Sequence, residues 1–392
     1  MNRQPFEKPS RWWSPKLSRR WIRFWRFGRM REQIRKHRLL SIEVRGAEKV
    51  REALAQDQGV LITPNHAGHA DCFSLYAAAD PIASPFYVMV AWQVFQRSGW
   101  FKQQLLRQHG CFSIDREGTD MTALRTARTV LMSEKQPLVI FPEGEVYHLN
   151  DRITPFREGP AAIALLAAKK ASRPIVAVPT AIQYHYVEDP TDELLELMSR
   201  LEQAALWRPR PDLTLPQRIY HLAEALIALK EIEYLGQTSS GNLPDRIAAL
   251  SDFILRQIEN RQQLSTDAAS IPERVKAARK RVIENLSDLP DDAPEREQLL
   301  IDLHDLFVVV QSFSYPGDYV SESPSIERIA ETLDKFEEDV LGAPTASIRG
   351  ARRGTITFGD PIEVVAKGSG KMTAADLTRQ LEQRVQQMLS ER

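Results

Sequence analysis

Cysteine is nearly missing from this chain, and long apolar runs are missing altogether. Among 392 residues there are two cysteines, Cys72 and Cys111. Two thiols build no disulfide framework, and neither falls in a metal-ligand spacing. Packed, reduced side chains in a reducing compartment are therefore expected. No stretch reaches the roughly 18 uncharged apolar residues that a membrane-spanning helix needs. The first residues also lack the apolar core of a secretory signal, so no cleaved leader is expected. Internal repeats and low-complexity tracts are absent too. Net charge is zero, with 52 Lys and Arg against 52 Asp and Glu. What remains is an ordinary folded composition, 43% hydrophobic and 27% charged, long enough for one large domain or two of usual size.

The zero net charge hides a polarised chain. Residues 1–38 carry 13 Lys and Arg against two acids, Glu7 and Glu32, whereas residues 188–345 carry 31 acids against 16 bases. The basic end is also aromatic: Trp12, Trp13, Trp21, Phe24, Trp25 and Phe27 interleave with Arg19, Arg20, Arg23, Arg26 and Arg29. Leu17 to Leu39 reads as one helix. Indole rings and cations suit the headgroup level of an anionic bilayer, which makes residues 11–38 a candidate membrane-surface segment. Nucleic acid is a competing anion, and packing of the aromatics against the rest of the protein is a third reading. The motifs below favour the membrane, and no nucleic-acid partner is expected.

From residue 41 to 190, apolar runs alternate with helix-like segments. Gly59–Thr63, Phe86–Val90, Cys111–Ile114, Leu138–Phe141 and Ile175–Ile182 read as strands, the last broken by Pro179. Trp92–Gln108, Ala123–Ser133 and Gly159–Lys170 read as helices. Such alternation predicts an α/β fold, a mixed sheet covered by helices on both faces. Between 191 and 345 the pattern changes to amphipathic helices, roughly Thr191–Trp207, Gln217–Tyr234, Leu243–Gln263, Pro272–Leu286, Pro294–Phe313 and Ser325–Leu341. Strand character returns at Gly354–Phe358, before a last helix over Ala374–Leu389. The expected organisation is thus a basic aromatic interfacial segment (1–40), an α/β domain (41–190), an acidic all-helical insertion (191–345) and the α/β domain's closing strand and helix (346–392).

Two strings carry chemistry. Asn65-His66-Ala67-Gly68-His69-Ala70-Asp71 follows a buried strand and a proline. A histidine with one ring nitrogen held by a carboxylate can take a proton from a hydroxyl at neutral pH. Five residues along one helix would separate His66 from Asp71 by about 500°, so the pair works only if His66 precedes the helix and Asp71 opens it. His69 beside them imitates a metal set, but no other His-rich string supplies ligands and no metal is expected. The spacing alone arises by chance about as often as not. Phe141-Pro142-Glu143-Gly144 is far rarer, with roughly 0.003 occurrences expected in a chain of this composition.

Taken in order, these strings resemble the glycerolipid acyltransferase family, which includes the 1-acylglycerol-3-phosphate acyltransferases. Asn65, His66 and Asp71 match its first block, and Gly110, Ile114 and Arg116 its second. Phe141, Pro142, Glu143 and Gly144 match the third, and the strand around Pro179 the fourth. Phe156-Arg157-Glu158-Gly159 and Phe358-Gly359-Asp360-Pro361-Ile362 follow the family's habit. Ser113 departs from a usual Phe, and Glu145 stands where a small hydroxyl residue is usual.

The resemblance implies an O-acyltransferase. It would move a fatty acyl group from acyl-CoA or acyl-carrier protein to the hydroxyl of a lysophospholipid or glycerol-3-phosphate-type acceptor. His66 would be the general base with Asp71. Arg116, Glu143, Gly144 and Asn65 would bind the acceptor, Glu143 either holding acceptor hydroxyls or ordering the loop, with backbone N–H groups near Gly144 meeting the oxyanion. No cofactor beyond the acyl donor is implied. The implied setting is the cytoplasmic face of a membrane, peripheral or monotopic, in phospholipid biosynthesis. An inactive scaffold acting through the insertion, or an acyl ester or thioester hydrolase using the same base, are the alternatives.

Overall fold

The computed structural model describes residues 9–116, 120–265, 270–320, 324–368 and 370–391. Two compact units divide them: Pro9–Pro190 with Ile348–Arg392, and Thr191–Ser347.

In the first unit an extended segment, residues 9–18, leads to α1 (Arg19–Phe24) and α2 (Arg26–His37). The single helix expected over Leu17–Leu39 is therefore broken at Trp25. It stops at Arg38, whose left-handed φ of 47° turns the chain into β1. Then follow β1 (Leu39–Arg45), α3 (Ala47–Ala55), β2 (Gly59–Pro64), α4 (Asp71–Ile82) and β3 (Tyr87–Ala91). Next come α5 (Trp92–Gln96), α6 (Trp100–Gln108), β4 (Cys111–Ile114), α7 (Met121–Ser133), β5 (Leu138–Val139), α8 (Gly159–Ala168) and β6 (Ile175–Tyr186). The helix expected over Trp92–Gln108 splits around Ser98 and Gly99. β6 runs straight through Pro179, where a break was expected. The Pro179 nitrogen lies on the side of β6 that faces the turn at Gly359, between the stretches paired to two different neighbours, so its missing N–H costs no ladder bond.

The second unit contributes α9 (Thr191–Ala204), α10 (Leu215–Leu235), α11 (Leu243–Gln262), α12 (Ile271–Asp288), α13 (Glu295–Phe313) and α14 (Ile326–Asp339). The first unit then resumes with β7 (Arg352–Phe358), β8 (Ile362–Glu363) and α15 (Ala374–Ser390).

The sheet is mixed, in the order β1-β7-β6-β2-β5-β3-β4, with β8 beside β6. β6 is antiparallel to β7 and β8, and the other pairings are parallel. β2 is buried along its whole length because helices cover both faces. Val60 and Ile62 point to a core shared with α3 and α4, while Leu61 points to a core shared with α7, α8 and α15. This strict alternation lets a continuous apolar run serve two faces. β6 and β7 form the arms of a hairpin, with Thr180 opposite Phe358 and Tyr186 opposite Arg352. The chain therefore leaves β6 and rejoins β7 at neighbouring points, and the helical unit occupies the loop between them. A long loop closes there at small extra entropic cost, because the sheet already holds its ends together.

The helical unit is built from well-marked helices. Pro stands in the first turn of α10, α11 and α12, and capping boxes open α10 (Thr214 with Gln217) and α12 (Ser270 with Glu273). Leu250, Ile254 and Ile258 recur at helical spacing on α11 and meet Val282 and Leu306 in one core.

Candidate active site

Where β2 ends, β6 continues, and two asparagines make up the missing ladder. The Asn65 side chain donates to the Ile182 carbonyl at 3.0 Å and accepts from the Ile182 N–H at 2.7 Å. Asn150 treats Tyr184 in the same way, at 2.8 and 2.6 Å. Asn65 is fully buried and its amide is engaged with backbone. It positions the next residue, which replaces the acceptor contact expected for it.

That next residue is His66. It precedes α4, and Asp71 is the first residue of α4, the arrangement the spacing required. His66 Nδ1 lies 2.7 Å from Asp71 Oδ2, which also accepts from the Gly68 N–H at 3.0 Å. Asp71 Oδ1 accepts from the Tyr184 hydroxyl at 2.7 Å. Burial and then the neighbouring Asp71 push the Tyr184 phenol well above its ordinary value, so it stays a donor. Asp71 is fully buried, whereas the His66 side chain keeps 19% of its surface. His66 Nε2 meets no hydrogen-bonding partner among the described residues. One ring nitrogen is thus anchored and the other faces out. The ring stacks on Phe141 at 4.2 Å between centroids.

Glu143 locks the loops together from beneath. One carboxylate oxygen accepts from the His66 N–H at 2.7 Å, and the other from the Thr154 N–H at 3.0 Å and the Thr154 hydroxyl. At 3% exposure its carboxylate oxygens are engaged by these loop groups, which is the loop-ordering arrangement of the two expected for it. Burial raises its carboxyl, and the hydrogen bonds from Thr154 and His66 pull it back. Pro142 accepts from the Arg157 N–H at 2.9 Å, which seats the 154–157 segment against the same turn.

Gly144 has φ +79°, the left-handed region that favours glycine, and a Cβ there would also press on the Arg157 side chain, 2.7 Å from its Nε. The Gly144 N–H closes a turn onto the Phe141 carbonyl at 3.2 Å. Its carbonyl accepts from Arg116 Nη1. The same Nη1 is 2.7 Å from Glu145 Oε1, so Arg116 is an ion-paired residue whose carboxylate partner follows the motif directly. Gly110, with φ +86°, lets β4 start against β3, since a Cβ would meet the Phe86 carbonyl at 2.2 Å. Ile114 and Pro179 belong to the sheet that carries these loops.

Tyr184, Thr154 and Asn150 went unread in the sequence. Thr154 and Asn150 touch the site only through partners distant in the chain, which no local pattern discloses. Tyr184 had one signal: apolar and aromatic residues at period two, Ile182-Tyr184-Tyr186, carry β6 four residues past its expected end. His69 rests against His148, their rings 5.5 Å apart. Cys111 is buried and Cys72 partly so, and burial pushes the Cys111 thiol up to about 12 and raises Cys72 as well, which disfavours the reactive thiolate.

A buried Asp holding the inner nitrogen of a part-exposed His, at the C-terminal edge of a parallel strand, meets the residues of the Phe-Pro-Glu-Gly turn. Residues 41–183 match the acyltransferase family model. The chain carries a glycerolipid acyltransferase-family domain. No curated protein matches the chain at a significant level. The matched stretch ends within β6, and later in the chain β7 and β8 join the same sheet while α15 packs on it.

Proposed function

We propose that this acyltransferase esterifies the hydroxyl of a lipid acceptor with a fatty acyl group carried as a thioester, on CoA or on acyl-carrier protein, with His66 as general base. The observation that carries the reading is the Asp71–His66 pair, with Nδ1 anchored and Nε2 outward. The acceptor hydroxyl gives its proton to Nε2, its oxygen bonds to the thioester carbonyl carbon, the C–S bond breaks, and the departing thiolate takes the proton back. Asp71 stabilises the imidazolium between these events. No acyl-enzyme is needed. The test supplies the protein with radiolabelled acyl-CoA or acyl-carrier protein and a lysolipid panel. Acylated acceptor is the expected product, and His66→Ala is expected to lower turnover by about 10²–10⁴. Release of free fatty acid alone would make the protein a hydrolase, and full activity in His66→Ala would remove the base.

The same reading places the enzyme on an anionic bilayer. Among the described residues no helix is long and apolar enough to cross a membrane. The N-terminal aromatics divide instead. Trp13 is buried, stacks on Phe95 at 5.4 Å and donates its backbone N–H to the Ser113 hydroxyl oxygen at 2.9 Å, so packing accounts for that part of residues 11–38. Arg29 also turns inward, to the Ile22 carbonyl and His109. Phe24, Phe27, Met30 and Ile34 remain solvent-exposed, Phe27 by 75%, and Phe27, Met30 and Ile34 share one stripe of α2. Trp25 meets Phe101 at 5.9 Å, joining the stripe to Trp100, itself 71% exposed. Arg19, Arg20, Arg23, Arg31 and Arg35 are exposed around it. Because Trp13 is core, the clean test is Phe24→Ser with Phe27→Ser. Flotation with anionic vesicles is expected to weaken by about tenfold or more, and added salt to weaken the parent protein. Unchanged flotation would detach this surface from the membrane.

A further inference from the structure

Position 145 carries a carboxylate, and its surroundings are electrostatically particular. Arg116 Nη1 is 2.7 Å from Glu145 Oε1 and also donates to the Gly144 carbonyl. The Arg157 guanidinium lies against the same turn, 2.7 Å from where a Cβ on Gly144 would stand, and it also acts on Tyr147. Burial would raise the Glu145 carboxyl, but Arg116 and Arg157 outweigh it and hold the group below its usual range. Glu145 is therefore a fixed negative charge at neutral pH, two residues from the glutamate that holds the His66 backbone.

A phosphomonoester is close to doubly charged at pH 7 and binds best where guanidinium groups converge without competition. Here the Arg116 charge is already balanced, and an incoming dianion would stand against Glu145. A phosphodiester brings one charge and a smaller repulsion, and a zwitterionic head brings an ammonium that Glu145 attracts. We propose that Glu145 is a specificity residue that turns the acceptor site away from phosphomonoesters and toward lysolipids with a zwitterionic phosphodiester head. This inference rests on the acyl-transfer reading above and names the acceptor class for it.

The experiment compares lysophosphatidate with lysophosphatidylcholine of the same chain, in the full-length parent and in Glu145→Gln, which keeps the shape and removes the charge. The parent is expected to show the higher kcat/KM on lysophosphatidylcholine, and Glu145→Gln to move the ratio toward lysophosphatidate by about tenfold or more. A parent preference for lysophosphatidate, or a ratio that Glu145→Gln leaves unchanged, overturns the proposal. Calorimetric binding of glycerol 3-phosphate reads the same charge without turnover. Tighter binding by Glu145→Gln supports the proposal and equal affinities overturn it, even if neither lysolipid is acylated and the acyl-transfer reading fails. Circular dichroism of both proteins separates these outcomes from misfolding.

Discussion

The two units handle buried polar groups in opposite ways. In the helical unit several buried charges are closed off by a partner on another helix. Arg218 of α10 forks onto Glu202 of α9 at 3.0 and 2.6 Å, and Arg246 of α11 onto Glu231 of α10 at 3.0 and 2.7 Å. Arg274 of α12 forks onto Glu259 of α11 at 2.8 Å for both bonds, and Asp302 of α13 accepts from Arg261 and Gln262 of α11. In the α/β unit the buried groups are not closed pairs. Tyr184, Asp71, Asn65, Thr154 and Glu143 converge on His66, which keeps an open nitrogen. The helical arrangement sets register between neighbours, while the α/β arrangement holds one reactive atom in place. Charge that is fully satisfied binds helices together, and charge left with one open valence can do chemistry.

The largest effect that would sharpen this contrast lies in the helical unit. Arg218 and Glu202 are each 3% exposed, so Arg218→Met strands a buried carboxylate. Denaturant unfolding is expected to show a loss of about 3–5 kcal/mol in that unit. The double change with Glu202→Leu is expected to recover most of it, and a double variant as unstable as the single one would contradict the closed-pair reading.

A somewhat smaller effect comes from a buried histidine in the α/β unit. His109 donates from Nδ1 to the Leu105 carbonyl and lies 2.8 Å from Arg29 at Nε2. Burial, helped by Arg29, lowers its pKa from 6.5 to about 4. Between those values the unfolded chain binds a proton that the folded chain refuses, so the stability is complete above pH 6.5 and is lost as pH falls toward 4. The loss amounts to about 3 kcal/mol. Unfolding titrations across this range measure it, and a His109→Gln variant with the same pH profile would assign the loss to other groups.

The smallest effect is catalytic. Tyr184→Phe removes the hydroxyl that holds Asp71 and is expected to lower kcat by about tenfold. The acceptor KM and the thermal midpoint are expected to stay near the parent's. A kcat at the parent's level would mean that Asp71 is held well enough by Gly68 and the start of α4.

Legibility followed the range of the interactions. The helices α9 to α14 were readable to within a few residues at most ends, because caps, first-turn prolines and a 3.6-residue apolar period are local. β1 was not. It is an edge strand whose Ser41, Glu43 and Arg45 face away from the core, so it carries no continuous apolar run to mark it. β8, two residues long, has no pattern of its own. In the site, the His66–Asp71 pairing was readable with the condition that α4 begin at Asp71. The direction of the Asn65 amide was not, because a motif says which residues stand together and not which way each one turns.

By itself the sequence determined the α/β class, the place and helical nature of the insertion, the polarised charge and the string of site residues. All of these rest on periodicity, composition and neighbours in the chain. The tertiary structure alone decided which polar groups are consumed and which stay open. It turned Asn65 toward β6, brought Thr154 under Glu143 and Tyr184 onto Asp71, and put Glu145 on Arg116. Those partners lie between 11 and 117 residues apart, and hydrogen-bond satisfaction between such partners exists only once the sheet has brought its strand ends together.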